Sequence, residues 1–492
     1  MSNLHWNRQK SCQKSIESAA GKFFSLLDPG LLPQVSLLGV DPEKPVNETS
    51  LFLEQADSIL EINDFIQIHV LARQLGISTG TSRIKSSRKK VTGSQIDRAR
   101  FRGYKLAVQK LLIALPAFED KQLHVSAPCE IGPYLVFIIL TLPREVIARY
   151  FTLQRSENDG QTSPSHSVIE SAISVFLSEC RGHLQESQFR KRFIDRSAEE
   201  LLKSAGRDFM TTIEDSIEFR PDQISLFDAI DNVSMLRYEG RDAIGKILLA
   251  KEGHTNIVFT LRLSKPIPLN DSRKVRKLLE LGDQNSCVVC DGQHLLGLGR
   301  ARGNYNPKQN SLYCINFKGH YKWELLHDES PLLSVCHGLP KIRMEGIDHS
   351  YFTAQVNQVF KGLNASEIER LWEITLSATK QKAGTMIVIS DHAKSESKRL
   401  ANQCFKVEPL VLTQELVNQI TAIDGAVLLD QDCVCHAIGV ILDGIVSDKQ
   451  GDASRGARYN SAIRYFSTNR PKHSILIIII SEDGMINLIP NE

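Results

Sequence analysis

Near its C-terminus the chain runs Ile475-Leu-Ile-Ile-Ile-Ile480, an unbroken run of large apolar residues. A run this short falls far below the ~20 residues that span a bilayer. It lacks the polar alternation that would leave one strand face in water. It reads as a strand buried on both faces, which requires cover on both sides of a sheet. The expected fold class is therefore α/β and multidomain. The C-terminal domain should be a mixed α/β domain with a central, mostly antiparallel sheet flanked by helices. Tyr134–Leu142 is the other long apolar run, and it too is short for a membrane. No transmembrane helix and no membrane partner are expected.

At 492 residues the chain is long enough for several cores. The net charge of +2 gives no global pull toward nucleic acid or membrane, so any anion site must be local. Met1–Lys14 is polar and has no apolar core of a signal peptide. Cys287-Val-Val-Cys290 has CxxC spacing but sits in a β-branched run. A strand sends those two side chains to opposite faces, which is poor for a shared metal. The cysteines read as small buried residues of a chain in a reducing cytoplasm.

Four regions follow along the chain. Residues 1–160 form an unassigned N-terminal α/β region. Up to about residue 80 it reads as helices over Gln13–Leu27, Leu51–Ile62 and Ile66–Leu75. A helix over Arg98–Leu115, two strands within Lys121–Leu142 and a helix over Glu145–Phe151 come next. The basic, polar run around Lys85–Lys90 reads as a solvated loop. It has no aromatic interleaving for a single-strand groove, so nucleic acid is not an expected partner. Residues 161–222 form a helical connector, with helices over Val168–Leu184 and Ser197–Leu202. Residues 223–363 read as α/β, with a helix over Asp271–Leu281 capped by Asp271 or Ser272 and an Asp291-Gly292 hairpin. Residues 364–492 form the last domain. There the expected order is helix Ser366–Ala378, strand Gly384–Ser390, helix Glu396–Cys404, helix Thr413–Ile423, paired strands, helix Ser461–Asn469 and a closing hairpin.

The last two regions echo each other. Pro268-Leu269, helix, Asp283 and an Asp291-Gly292 hairpin match Pro409-Leu410, helix, Asp424 and a Gln431-Asp432 hairpin at a constant offset of 141. This suggests a duplicated helix–hairpin unit. The first copy has nothing like the later arginine stretch, having Cys314-Ile315-Asn316 in its place.

The chemistry concentrates between Ile423 and Ala462. Asp424 follows a helix and precedes Gly425, where backbone can bend close to a ligand. A carboxylate there can hold Mg²⁺ or Mn²⁺, or accept a proton from a ribose hydroxyl. Arg455 and Arg458 flank Gly456 before a helix entered at Asn460 or Ser461. Guanidinium groups bind phosphate bidentately, and helix N-terminal amides add to an anion site. Ser481-Glu482 ends the neighbouring strand within reach of the same edge. Singly these are ordinary features: a turn, a solvated arginine pair, a strand end.

Together, and in this order, they resemble the nucleotide-binding domain of bacterial diadenylate cyclases of the DisA type. The counterparts of that family's motifs are Gly384-Thr-Met-Ile-Val388, Asp424-Gly425-Ala426, Gly456-Ala-Arg-Tyr-Asn-Ser-Ala462 and Ile479-Ile-Ser-Glu-Asp-Gly484. The resemblance covers about residues 365–492. The region at about 225–360 is similar, in architecture more than motif, to the DACNV kind of sensor domain that precedes such cyclases.

The resemblance implies a homo-oligomer with two such domains face to face, each holding one ATP. It implies condensation of the two into cyclic di-AMP and pyrophosphate with Mg²⁺ or Mn²⁺, under control of the N-terminal sensor regions. Asp424 would bind the metal and activate the hydroxyl, and Arg458 would hold phosphate. Gly425, Ala426, Leu442, Arg455, Gly456, Asn460, Ser461, Ser481 and Glu482 would surround the nucleotide, with Leu442 lining the base pocket. The sequence departs from the pattern at Arg458-Tyr459-Asn460, where the family has Arg-His-Arg, and at Ala457, which replaces a threonine. A non-catalytic nucleotide-binding sensor or scaffold is the alternative reading. A nucleic-acid regulator using Lys85–Lys90 is a third.

Overall fold

The computed structural model describes residues 9–28, 30–47, 50–56, 60–84, 93–148, 150–153, 166–186, 196–218, 224–283, 286–341, 349–379, 384–444, 457–469, 473–480 and 486–490. The chain divides into two compact units, Met1–Ile342 and Arg343–Glu492.

The first unit begins with α1 (Gln9–Leu27), β1 (Gln34–Val40), β2 (Leu51–Glu54), α2 (Ile68–Ile84) and α3 (Gly93–Ile113). It continues with β3 (Lys121–Val125), β4 (Cys129–Ile131), β5 (Tyr134–Pro143) and the single turn α4 (Arg144–Ile147). β5 is the centre of an antiparallel sheet of order β2-β1-β5-β3, with β4 also paired to β5. Its residues are buried from Tyr134 to Leu142, which is why this run is so apolar. Residues 51–54 form a strand where the sequence suggested a helix, and residues 34–40 form another. Both are held by pairing that reaches β5, about 100 residues further along, and this overrides local propensity. α4 spans only one turn of the helix expected over Glu145–Phe151. α1 buries Ile16, Ala20, Phe23, Phe24 and Leu27 on one stripe. Phe23 stacks on Phe176 of α5 (Val168–Glu186). α6 (Ala198–Ser216) runs much longer than the Ser197–Leu202 helix expected, and opens on a reciprocal Ser197–Glu200 capping box. Lys85–Lys90 lie outside the described residues.

The rest of this unit comprises α7 (Leu226–Met235), β6 (Ile244–Ala250), β7 (Ile257–Pro268), α8 (Ser272–Leu279), β8 (Cys287–Cys290) and β9 (His294–Ala301). β10 (Leu312–Gly319), β11 (Lys322–His327), β12 (Ser330–Cys336) and β13 (Leu339–Lys341) complete it. Of the two candidate caps Asp271 is the one used at α8, its side chain accepting from the Lys274 amide, while Ser272 is the first helical residue. The eight strands follow the order β13-β12-β11-β10-β6-β8-β9-β7.

The second unit contains α9 (His349–Val359), α10 (Ala365–Ala378), β14 (Thr385–Ser390), α11 (Ala393–Arg399), β15 (Phe405–Val411) and α12 (Gln414–Ile420). β16 (Ala426–Leu429), β17 (Val434–Val440), α13 (Ala457–Asn469), β18 (Ile475–Ile480) and β19 (Ile486–Ile489) follow. Its sheet has the order β15-β17-β16-β14-β18-β19, antiparallel except for β14 beside β16. Ile387, Ile389, Leu476, Ile478 and Ile480 pack on one face with Phe352, Val356, Leu371, Ile374 and Val417 of α9, α10 and α12. Met386, Val388, Ile475, Ile477 and Ile479 pack on the other with Ala393, Ala462, Tyr465 and Phe466 of α11 and α13. The apolar run is thus buried from both sides, with successive residues serving opposite layers. Because α9 packs into this core, the unit extends toward the N-terminus beyond the residue-364 start read from the sequence. β15 was not anticipated, and α13 begins at Ala457, earlier than Asn460.

The echo between the two regions is a shared topology. The path β7-β9-β8-β6-β10-β11 in the first unit repeats β15-β17-β16-β14-β18-β19 in the second. In each the one parallel pair falls at the same place, β6 with β8 and β14 with β16. In each a helix, α8 or α12, joins the edge strand to the parallel strand. The copies differ after the hairpin. Where α13 stands in the second, the first has only the short turn Pro307–Gln309 between β9 and β10.

Arg276 of α8 is buried to 1% exposure and donates to the Leu236, Arg241 and Asp242 carbonyls and to Glu280. Replacing it with methionine leaves those acceptors unpaired. Arg276→Met is expected to lower the stability of the first unit by about 3 kcal/mol. A thermal melt would show this as a lower first transition, and a variant melting with wild type would contradict it.

Candidate functional site

The site grows from a close approach of two backbones. Gly425 has φ of +105°, in the region that favours glycine. A Cβ placed on it would lie 2.6 Å from the Gly439 carbonyl carbon and 2.9 Å from the Val440 nitrogen. No other residue fits there without displacing β17. The contact anchors the chain where it enters β16, at Ala426, which is fully buried and in register with Val440. Asp424 therefore projects at the mouth of this pair, with its side chain 91% exposed.

Arg458 meets it. The guanidinium Nη2 of Arg458 donates to Asp424 Oδ1 at 3.1 Å, across a separation of 34 residues. Arg458 Nε is buried and has no hydrogen-bond partner among the described residues. The arginine stands in the first turn of α13, so helix geometry fixes it, not the loop before the helix as the sequence suggested. Ser461 lies one turn on, its hydroxyl donating to the Arg458 carbonyl at 3.3 Å. Asn460 is on the same helix start. The pair sits at one end of the sheet, since Met386 of β14 is in register with Ala426. Ile480 of β18 is in register with Thr385 at that same end. Ser481 and Glu482 come next in the chain. They lie outside the described residues, as do Arg455 and Gly456. Leu442 is 8% exposed and belongs to the core shared with Ala462 and Tyr465.

A polar network beneath the site was not read from the sequence. Arg399 of α11 pairs with both oxygens of Asp443, at 2.6 and 2.7 Å. It also pairs with both oxygens of Glu396, at 2.9 and 2.6 Å. Tyr465 of α13 donates to Glu396 Oε1 at 2.7 Å. The network ties α11 and α13 to the segment after β17 that carries Leu442. Gly444 then crosses α13, where a Cβ would lie 2.6 Å from the Arg464 carbonyl carbon. Burial works against the Glu396 charge, but the hydrogen bonds from Arg399 and Tyr465 prevail and hold its carboxyl below the usual range. Arg399 likewise holds Asp443 low. Burial and the bond to Glu396 push the Tyr465 phenol up.

Residues 375–492 match the family model described as DisA bacterial checkpoint controller nucleotide-binding. The C-terminal domain is a DisA-type nucleotide-binding domain. Before it, residues 6–210 match a model described as probable sensor domain DACNG, and residues 224–329 match one described as probable sensor domain DACNH. The middle match is thus to DACNH, not to the DACNV kind suggested by architecture, and the region left unassigned by sequence falls almost entirely within the match to the probable sensor domain DACNG. No curated protein matches the chain. Among solved structures, a crystal structure of a double mutant of DacA from Staphylococcus aureus is similar at 19% identity. The match covers 25% of this chain and 80% of that one, with a TM-score of 0.20. No helix among the described residues is long and apolar enough to cross a membrane. The chain thus combines sensor domains with a cyclase-type nucleotide-binding domain.

The network gives the DisA-type domain a defined acid response. Because the folded carboxyls of Glu396 and Asp443 titrate below their unfolded values, their contribution is complete above about pH 4–5. It is lost as pH falls through the lowered folded values. Glu396→Gln is expected to cost about 1–2 kcal/mol at neutral pH, since Arg399 is half exposed and water screens part of the interaction. It should also flatten the acid limb. Hydrogen exchange of the α11 and α13 amides from pH 3 to pH 7 measures both. Equal acid limbs in variant and wild type would contradict the assignment.

Proposed function

We propose that the DisA-type domain condenses two ATP into cyclic di-AMP and pyrophosphate, with the two N-terminal sensor domains controlling the reaction. The observation that supports this most is the convergence of Asp424 and Arg458 at one sheet end. Carboxylate and guanidinium stand 3.1 Å apart at a solvent-open mouth. The exposed ion pair is weakly held. A triphosphate can take over the guanidinium, whose Nε has no partner among the described residues. The Asp424 carboxylate, a hard and accessible oxygen donor, fits Mg²⁺ or Mn²⁺. Such an ion would neutralise phosphate charge and make a ribose hydroxyl more acidic.

In each half-reaction the 3′-oxygen of one ATP forms a bond to the α-phosphorus of the other. The bond from that phosphorus to the bridging oxygen breaks, and pyrophosphate leaves with the electron pair. Asp424 accepts the hydroxyl proton, and Arg458 holds the phosphate in line. Two domains must face each other for this. Ile423, Phe405 and Ile441 form an exposed apolar rim beside Asp424, and Ile423 and Phe405 both flank Gly439. Such a rim suits the mating surface of a second copy. Gly425, Ala426, Leu442, Asn460 and Ser461 would surround the nucleotide, with Arg455, Gly456, Ser481 and Glu482 completing the shell.

One observation favours the non-catalytic reading. Tyr459, in the place of the family's imidazole, is partly buried against the α11/α13-side core. A domain that binds nucleotide without joining it would follow if the missing imidazole and second arginine are required for turnover.

Incubation of the purified chain with ATP and Mn²⁺, followed by mass spectrometry, separates the two. A cyclic dinucleotide is expected from wild type and none from Asp424→Asn. Wild type that binds ATP but yields no product across metals and nucleotides would overturn the cyclase reading and leave the binding one. Arg458→Ala is expected to weaken nucleotide binding about tenfold by calorimetry. Unchanged affinity would remove Arg458 from the site.

A further inference from the structure

The opposite end of the same sheet carries a second cluster of metal-binding side chains. Asp391 and His392 follow β14, and His473 precedes β18. Each offers one ligand atom, and the three atoms lie within 4.8 Å of one another. The two imidazole rings face each other with centroids 4.0 Å apart. His473 Nδ1 is shielded from solvent and has no hydrogen-bond partner among the described residues. An imidazole nitrogen sequestered without a partner is costly unless something binds it.

The backbones of the three residues are fixed by their surroundings. The Asp391 amide donates to the Ser474 carbonyl, and the His473 amide to the Asn469 carbonyl at the end of α13. The His392 amide donates to the buried Ser390 hydroxyl, while its carbonyl accepts from the Glu396 amide in the first turn of α11. Only side-chain rotation is then needed to close the cluster. Ligand atoms about 2.0–2.1 Å from a tetrahedral ion stand roughly 3.4 Å from one another, so the adjustment is about 1 Å. His392 Nδ1 and Asp391 Oδ1 share a hydrogen bond at 3.0 Å, whose proton an arriving ion would displace.

We propose that Asp391, His392 and His473 bind one divalent transition-metal ion of the Zn²⁺, Co²⁺ or Ni²⁺ class. Two imidazoles and one carboxylate select such ions over Mg²⁺, which prefers an all-oxygen set. The site is distinct from the nucleotide end. β14 is in register with Ala426 at Met386 and with Ile475 at Ser390, so the two ends lie roughly 15 Å apart along the strand. Three protein ligands leave a further position for water, because His392 and Asp391 face solvent. The bound ion cross-links the start of α11 to His473, just before β18. It thereby steadies the two helices that the Glu396–Arg399–Tyr465 network joins.

The test uses the full chain, stripped with chelator and titrated with Zn²⁺ against a chromophoric competitor. Asp424→Asn serves as the background, so the nucleotide-site carboxylate contributes nothing. One Zn²⁺ per chain is expected. His473→Ala and the exposed-site variant His392→Gln should each weaken binding more than tenfold, and His436→Ala, in β17 where His436 pairs with Asp430 outside the cluster, should leave it unchanged. His392→Gln replaces a half-exposed side chain, and its circular dichroism should match the background protein, so lost binding reads as a lost ligand. Zn²⁺ affinity that is unaltered in both His473→Ala and His392→Gln, or binding that appears only at millimolar Zn²⁺ as an adventitious ion only, would overturn the proposal.

Discussion

Burial of β14 and β18 from both sides is the constraint on which the C-terminal unit depends. Ile387 and Ile389 serve the α9, α10 and α12 layer, while Met386 and Val388 serve the α11 and α13 layer. With both faces sealed by apolar contacts, polar chemistry has room only at the two ends of the sheet. One end receives Asp424 and Arg458, and the other receives Asp391, His392 and His473. Helix layers that must cover the sheet also deliver polar groups to its ends, because α13 packs through Ala462, Tyr465 and Phe466 and so carries Arg458 to its place.

A second constraint sharpens the first. Gly425 lies so close to Gly439 and Val440 that a single methyl would collide. The carboxylate of Asp424 is therefore set by backbone contact, while its own side chain remains in water. Arg458 is set by the helix, and the helix is held by Tyr465 through Glu396 to Arg399 and Asp443. Rigid positioning of exposed groups is the arrangement expected of a site that must exchange one partner for another. The first unit repeats the sheet topology but has only a short turn where α13 would stand, so it keeps the scaffold without the arginine-bearing element.

Much of this architecture was legible in the residues. Ile475–Ile480 disclosed a strand sealed on both faces, Asp271 disclosed a helix cap, and the 141-residue offset disclosed the repeat. Asp424 and Arg458 were named from residue type and order, and the structure brings those two together. Other parts were hidden for physical reasons. Residues 34–40 and 51–54 become strands only through β5, a partner distant in sequence. β15 is an exposed edge strand whose alternation, Phe405-Lys406-Val407-Glu408, is cut short by Pro409, so it offers neither a long alternating stretch nor an apolar run to mark it. α13 starts at Ala457, before the Asn460 or Ser461 at which the sequence places its entry. Glu396 and Arg399 look like an ordinary surface pair on a helix, and nothing local announces Asp443, which is 44 residues away in the chain. His392 and His473 are likewise brought together only by the β14–β18 pairing.

The claim that nucleotide is held at the Asp424 end of the sheet is tested most directly by hydrogen exchange with and without ATP and Mn²⁺. Asp424→Glu, which retains a carboxylate but moves it, limits turnover during the measurement. Protection is predicted for the amides of 425–429 and 457–461, with no change at 390–393 or 473–475. Protection confined to the first unit, or absent from both the β16 entry and the start of α13, would contradict the account.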